Sequence, residues 1–429
     1  MRKSLFFVVM SALITVVLAA PAFAAGEVQL QVNGDTVPSP ALYLDNDVTM
    51  ISAGAFARLS GADFSENGEV FTVTENGKTL TLTSGKDEAV LGDQPVALPR
   101  AAVKTDHVVY VPLRAVSSAF GFEIGWDAEK LLVSLTREET RDGMTPFDLL
   151  AKSNAACQAV NTYSMDGSFD IDMEIMADGK LMEDAPKNLG MSLTGQIQSD
   201  PLQVYITQKV NADEAGQIPE MTVETYMDEE KMYMKMPGQE WQAMELPFSP
   251  EFWKQQQDIQ SNPLKAVAQM KEMGMLVNYG NDTTVDGKDY YVLNASLDVD
   301  KFMENFQEIF QQAMQAAASG AAQENPADMQ QELQKVMENA SFDYFYTILI
   351  DKETLISDII NFDAKVDLTM ENPEPDTDPD TDPDTDQSGE QAPEEIRIKY
   401  DMNGQFTISG LGEPFKAPVI DDSVKKPVE

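Results

Sequence analysis

In Phe169-Asp170-Ile171-Asp172-Met173-Glu174-Ile175 every apolar residue occupies an odd position and every acid an even one. Successive side chains of a strand point to opposite faces, so the stretch predicts a strand with one greasy side and one charged side. The pattern returns along the chain. Leu202, Val204 and Ile206 alternate with Gln203, Tyr205 and Thr207, and Met232, Met234 and Met236 alternate with Tyr233 and Lys235. Ile360, Phe362, Ala364, Val366 and Leu368 alternate with Asn361, Asp363, Lys365 and Asp367, then Ile396, Ile398 and Tyr400 with Arg397, Lys399 and Asp401. Such strands build an antiparallel sheet with one face in water and one against a core.

Helices are expected to cover the greasy face. Thr145-Pro146-Phe147-Asp148 carries a capping residue, a first-turn proline and an acid for the positive helix end, and Phe147, Leu150, Ala151, Ala155 and Val160 then trace one face. Ser249-Pro250-Glu251 starts a second helix that Pro263 breaks or restarts before Leu264, Val267 and Met270. Phe302, Phe306, Ile309, Phe310 and Ala313 form a further helical stripe, and Met329, Leu333, Val336 and Met337 another.

This order, with Leu149-Leu150-Ala151-Lys152-Ser153 leading to Thr162-Tyr163-Ser164-Met165-Asp166-Gly167, resembles the LolA-like and LppX/LprG-like superfamily of exported lipoprotein and lipid carriers over residues 144–418. The resemblance implies a curved antiparallel half-barrel whose concave side, closed by helices, holds acyl chains. The chain lacks the amino-terminal Cys of lipid-anchored members. The expected lining is Phe169, Ile171, Met173, Met232, Met234, Met236, Phe362, Val366 and Ile398. Methionine is flexible and polarizable, so a surface rich in it adapts to chains of varied shape. Ordinary core filling beneath the helices is an equal reading of the same methionines, and Cu(I), which thioethers favour, a third.

Upstream, Val109-Tyr110-Val111-Pro112-Leu113-Arg114-Ala115-Val116-Ser117-Ser118-Ala119-Phe120-Gly121-Phe122-Glu123-Ile124-Gly125-Trp126-Asp127 contains the second copy of an internal repeat. Met50 to Phe64 aligns without a gap on Tyr110 to Ile124: a strand end, a short helix closed by Gly61 or Gly121, then an extended segment. Pro112 suits a first helical turn. Asn33-Gly34 and Glu75-Asn76-Gly77-Lys78 are hairpin turn chemistry. These residues resemble the copper amine oxidase N-terminal-like (stalk) domain over residues 28–136. That implies a small αβ module of exported proteins, common in Gram-positive bacteria, for attachment to cell-wall or envelope components. Arg114 and Trp126 are either a surface binding pair or packing residues. The fold class is therefore α+β: a small αβ stalk-like domain, then a curved antiparallel β half-barrel covered by helices.

Composition excludes several functions. The 429 residues carry a net charge of −42, which argues against nucleic acid, since binding phosphates requires cations to replace released counterions. His107 is the only histidine and Cys157 the only cysteine, so zinc sites, imidazole-based triads and intrachain disulfides are not expected. Cys157 falls in a helical pattern and reads as a small buried hydrophobe. Arg2 and Lys3, the apolar run Leu5 to Ala20, and Ala22-Phe23-Ala24 predict a secretory signal over residues 1–25, cleaved near Ala24 or Ala25. Within residues 371–393, Glu374 to Asp386 repeats Asp-Thr-Asp-Pro, which opposes packing and reads as a disordered acidic insert without a defined calcium site. The expectation is a secreted or cell-surface, non-enzymatic protein with no metal or cofactor that binds a lipid or other hydrophobic small molecule. The alternative is a structural or adhesive envelope protein with no bound ligand.

Overall fold

The computed structural model describes residues 28–37, 42–105, 108–182, 185, 187–211, 219–229, 231–244, 263–297, 340–371, 395–421 and 424. The expected signal segment, the helices at 249–251, 302–313 and 329–337, His107 and the acidic insert beyond residue 371 lie outside the described residues.

The amino-terminal part runs β1 (Gln29–Val32), β2 (Asp35–Val37), β3 (Leu42–Asp45), β4 (Val48–Ser52), α1 (Ala53–Ser60), β5 (Asp63–Asn67), β6 (Val70–Glu75), β7 (Lys78–Thr83), β8 (Glu88–Leu91) and β9 (Gln94–Ala97). It continues through β10 (Val103–Thr105), β11 (Val108–Pro112), α2 (Leu113–Ala119), β12 (Glu123–Asp127) and β13 (Leu132–Thr136). Three small sheets, β12-β13-β1-β2, β10-β11-β4-β3 and β5-β6-β7-β8-β9, enclose one core around Phe56, Phe71, Leu80 and Val111.

The internal repeat has a structural counterpart. β4 and β11 pair antiparallel with Ile51 opposite Val111, and these are equivalent positions of the two copies. A local two-fold axis therefore passes between them. Each helix ends alike: Ala62 N donates to Ala57 O and Phe122 N to Ser117 O, with Gly61 at φ 77° and Gly121 at φ 81°. The starts differ. Ser52 caps α1 by accepting from Ala55 N, whereas Pro112 stands at the cap of α2 rather than inside its first turn.

After α3 (Pro146–Gln158) come β14 (Thr162–Ala177), β15 (Lys180–Leu181), β16 (Asn188–Gln198), β17 (Gln203–Val210), β18 (Met221–Asp228), β19 (Met232–Lys235) and β20 (Gln242–Met244). Then follow α4 (Pro263–Glu272), β21 (Met275–Tyr279), β22 (Thr283–Val285), β23 (Lys288–Leu297), β24 (Ala340–Asp351), β25 (Ser357–Glu371) and β26 (Glu395–Ser409). The main sheet has the order β20-β19-β18-β17-β16-β14-β26-β25-β24-β23-β21, with β15 and β22 attached at its margins. Among the described residues its end strands do not pair, so it is an open, curved, antiparallel sheet and not a closed barrel. The α+β expectation holds.

Thr145 caps α3 in a reciprocal box with Asp148, whose carboxyl is held below the usual carboxylate range by the hydrogen bonds it accepts from Thr145. The face of α3 differs from expectation. Leu149, Leu150 and Ser153 are buried while Ala155 is exposed, because α3 meets α4 and the end of the sheet with its Leu149 side. Val267, Val277, Tyr279, Leu293 and Ile350 complete that cluster. Pro263 begins α4, as a restarted helix requires.

The other face of the sheet is not uniformly wet. The amino-terminal part rests on it near β21 to β25: Leu276 joins the amino-terminal core, Asn278 donates to Leu59 O at 2.9 Å, and Asn281 donates to Asp63 at 2.7 Å. Arg58 reaches Asp363 at 3.8 Å and covers the Phe345 ring at 5.4 Å. At the far end the carboxy-terminal segment lays Phe415 and Ile420 over Tyr226, Tyr233 and Trp241. Tyr233, expected on the wet side, is consequently buried.

Candidate ligand-binding face

Register fixes which side chains share the apolar face. In an antiparallel sheet directly opposed residues point the same way. From β14 outward, Ile171 opposes Met402, which opposes Ala364, which opposes Tyr344. Met173 opposes Tyr400 and then Val366, while Ile175 opposes Ile398 and then Leu368. In the other direction Phe169 opposes Met191, then Val210, then Met221. Thr225 opposes Met234, and Met227 opposes Met232. The alternation first read in β14 thus runs continuously from β19 to β21.

Five of the anticipated lining residues meet in one cluster. Ile171 and Val366 are buried at 2% and 3% exposure, and Met173, Phe362 and Ile398 pack half-buried against them. Phe169 lies on the same face, half-buried, with its ring 4.8 Å from that of Phe406. Met232 and Met234 share the face on β19 but lie four strands from β14, about 19 Å at the usual strand spacing. Met236 falls beyond the end of β19, half-buried. Arg114 and Trp126 are both exposed, and among the described residues no ring–cation contact joins them.

Sequence reasoning overlooked the tyrosines of this face. Tyr344 stacks on Phe362 with centroids 6.0 Å apart, and Tyr346 lies 5.2 Å from the same ring. The Tyr344 hydroxyl donates to Tyr400. Burial pushes both phenols up, Tyr400 to about 12 even with the hydrogen bond from Tyr344 opposing it, and burial alone raises Tyr346. All three stay neutral at physiological pH. The available signal was Tyr344, Tyr346 and Ile348 at alternate positions, obscured by the apolar Phe345 between them. Met191, Met221 and Met402 also join the cluster.

Such a surface supplies adaptable apolar contact. Cys157 is half-buried, not fully buried, because it sits at the margin of α3 with its Sγ 3.6 Å from Ser357 Oγ. Among the described residues no three His, Cys, Asp or Glu side chains are grouped to hold a metal. A cleft of about 190 Å³ is lined mainly by charged residues, among them Glu75, Lys78, Arg137 and Glu139, and Arg137 is already paired with the buried Glu75 carboxylate. No helix of the described residues is long and apolar enough to cross a membrane.

Among solved structures, the chain is similar to lipoprotein LppX of Mycobacterium tuberculosis, at 9% identity over 63% of this chain and 96% of that one, with a TM-score of 0.27. It is also similar to LprF of Mycobacterium bovis (10% identity, 64% and 96% covered, TM-score 0.24). A DUF1329 family protein of Desulfovibrio piger is comparable (10% identity, 66% and 98% covered, TM-score 0.21). No curated protein matches. Residues 31–135 match the copper amine oxidase N-terminal domain. Residues 145–382, more than half of the chain, match the family of unknown function DUF6612, and the chain belongs to that family.

Proposed function

We propose that this chain is an exported, non-catalytic protein that binds a lipid or another hydrophobic ligand on the apolar face of its open sheet. Residues 28–136 form one module of it and residues 144–418 the other, the first serving attachment at the cell surface. The observation that carries this reading is the register. Apolar side chains oppose one another strand after strand, yet Met173, Phe362, Ile398 and Met402 remain half-buried beside a closed core. Where α3 and α4 cover the face, the corresponding residues Val277, Leu293 and Ile350 are buried. A flexible apolar guest gains by removing the remaining area from water, about 25 cal/mol per Å². The neutral tyrosines leave no charge for that guest to desolvate.

Native mass spectrometry of the purified mature protein, followed by organic extraction, tests the reading. A binder releases a hydrophobic molecule of defined mass, and the Met173→Lys variant releases none while keeping its circular dichroism spectrum. A wild-type protein that carries nothing and takes up no added lipid is instead the structural envelope protein.

A further inference from the structure

The sheet β10-β11-β4-β3 turns Ile51, Val109 and Val111 into the amino-terminal core, and its opposite face carries an aromatic corner. Tyr43 on β3 and Tyr110 on β11 reach across β4 and meet edge to face, with centroids 5.0 Å apart and planes at 75°. Met50, directly opposite Tyr43 in register, forms the floor at 1% exposure. Tyr43 itself is 38% exposed. Burial first, and the neighbouring Asp45 second, raise its phenol, so the hydroxyl stays a donor at neutral pH. Two residues along β3, on the same face, Asp45 accepts from Asn46 Nδ2 at 2.7 Å and pairs with Arg100 at 3.4 Å. Both members of that pair are partly open to solvent, the side chains 38% and 41% exposed.

An aromatic face bordered by a planar carboxylate, amide and guanidinium offers two complementary contacts. The ring accepts a flat C–H surface, and the planar groups accept and donate to adjacent hydroxyls. Charge narrows the ligand. Arg100 and Asp45 neutralise each other locally, while a chain of −42 repels polyanions. We propose that Tyr43, Tyr110, Asp45 and Arg100 form a binding site for a neutral polysaccharide. The site lies apart from the apolar face of the main sheet and stands whether or not that face holds a lipid.

Co-sedimentation of the full-length mature protein with insoluble cellulose, xylan and chitin tests it. The wild-type protein is expected to be retained on at least one of the three, with Tyr43→Ala weakening retention by roughly tenfold or more. Tyr43→Phe, which keeps the ring, is expected to retain most of the binding. Because Tyr43 is partly exposed, its thermal midpoint serves as the folding control, and Arg100→Ala provides a second variant outside the strand. No retention on any of the three, or retention unchanged in both Tyr43→Ala and Arg100→Ala, overturns the proposal.

Discussion

Arg137 clasps Glu75 in a two-pronged ion pair, its Nη2 at 2.6 Å and its Nη1 at 2.7 Å from the two carboxylate oxygens. The same guanidinium donates to Ser60 O at 2.9 Å and Phe120 O at 3.0 Å, the equivalent carbonyls at the ends of the two repeated helices. One cation thus ties both copies of the repeat together, with Phe122 stacked 4.2 Å away.

Removing that cation strands a carboxylate that is only 4% exposed. Arg137→Met is predicted to cost about 3–5 kcal/mol in urea unfolding at pH 7. Burial already raises the Glu75 pKa above its ordinary value, with Arg137 opposing the rise, so Glu75 favours folding at low pH and its contribution is lost as pH rises through the folded pKa. In the variant that opposition is gone. The gap between variant and wild type should narrow on acidification, and an equal gap at pH 5 and pH 7 would contradict the account.

The two helix-ending glycines share a left-handed backbone but not their surroundings. A Cβ on Gly61 would collide with the Tyr279 carbonyl oxygen and lie 2.7 Å from its carbon, whereas a Cβ on Gly121 meets nothing within 4 Å. Gly121→Ala should therefore cost only the left-handed penalty, about 1–2 kcal/mol. Gly61→Ala should cost clearly more, since it also separates the amino-terminal part from β21. Equal shifts in the urea midpoint would mean that the two parts do not touch at Gly61.

Phe169 opposes Gly404 and Phe406 opposes Gly167, so each ring lies over the glycine across the strand pair. A methyl group on Gly404 would press into the Phe169 ring and lie 2.9 Å from Ser168 O. Gly404→Ala is predicted to destabilise by about 1–3 kcal/mol through overpacking. Adding Phe169→Ala to it should recover part of the loss, a coupling that a double-mutant cycle measures. Simple additivity would show that the ring is not held there.

The period-two alternation of β14, β25 and β26 was readable because each side chain choice reports a face, and the sheet followed. The Thr145-Pro146-Phe147-Asp148 helix start was readable for the same local reason, its donors being satisfied within four residues. Tyr233 lies on the face the alternation gave it, but its burial was not legible because it comes from Phe415 and Ile420, far along the chain. Likewise Met232 and Met234 share the parity of Met173 but not its neighbourhood, since alternation names a face and says nothing of distance across strands. The contacts of Asn278, Asn281 and Arg58 between the two parts left no periodic trace at all.

The most direct test of the central claim is titration of delipidated protein with an acyl chain bearing an environment-sensitive fluorophore. Saturable binding is predicted, lost by roughly tenfold or more in Phe362→Asp and Met173→Asp and little changed by Trp126→Ala on the opposite part of the chain. A wild-type protein that leaves the probe in water at every concentration, or binding that survives both charged substitutions, would contradict the assignment of that face as the ligand site.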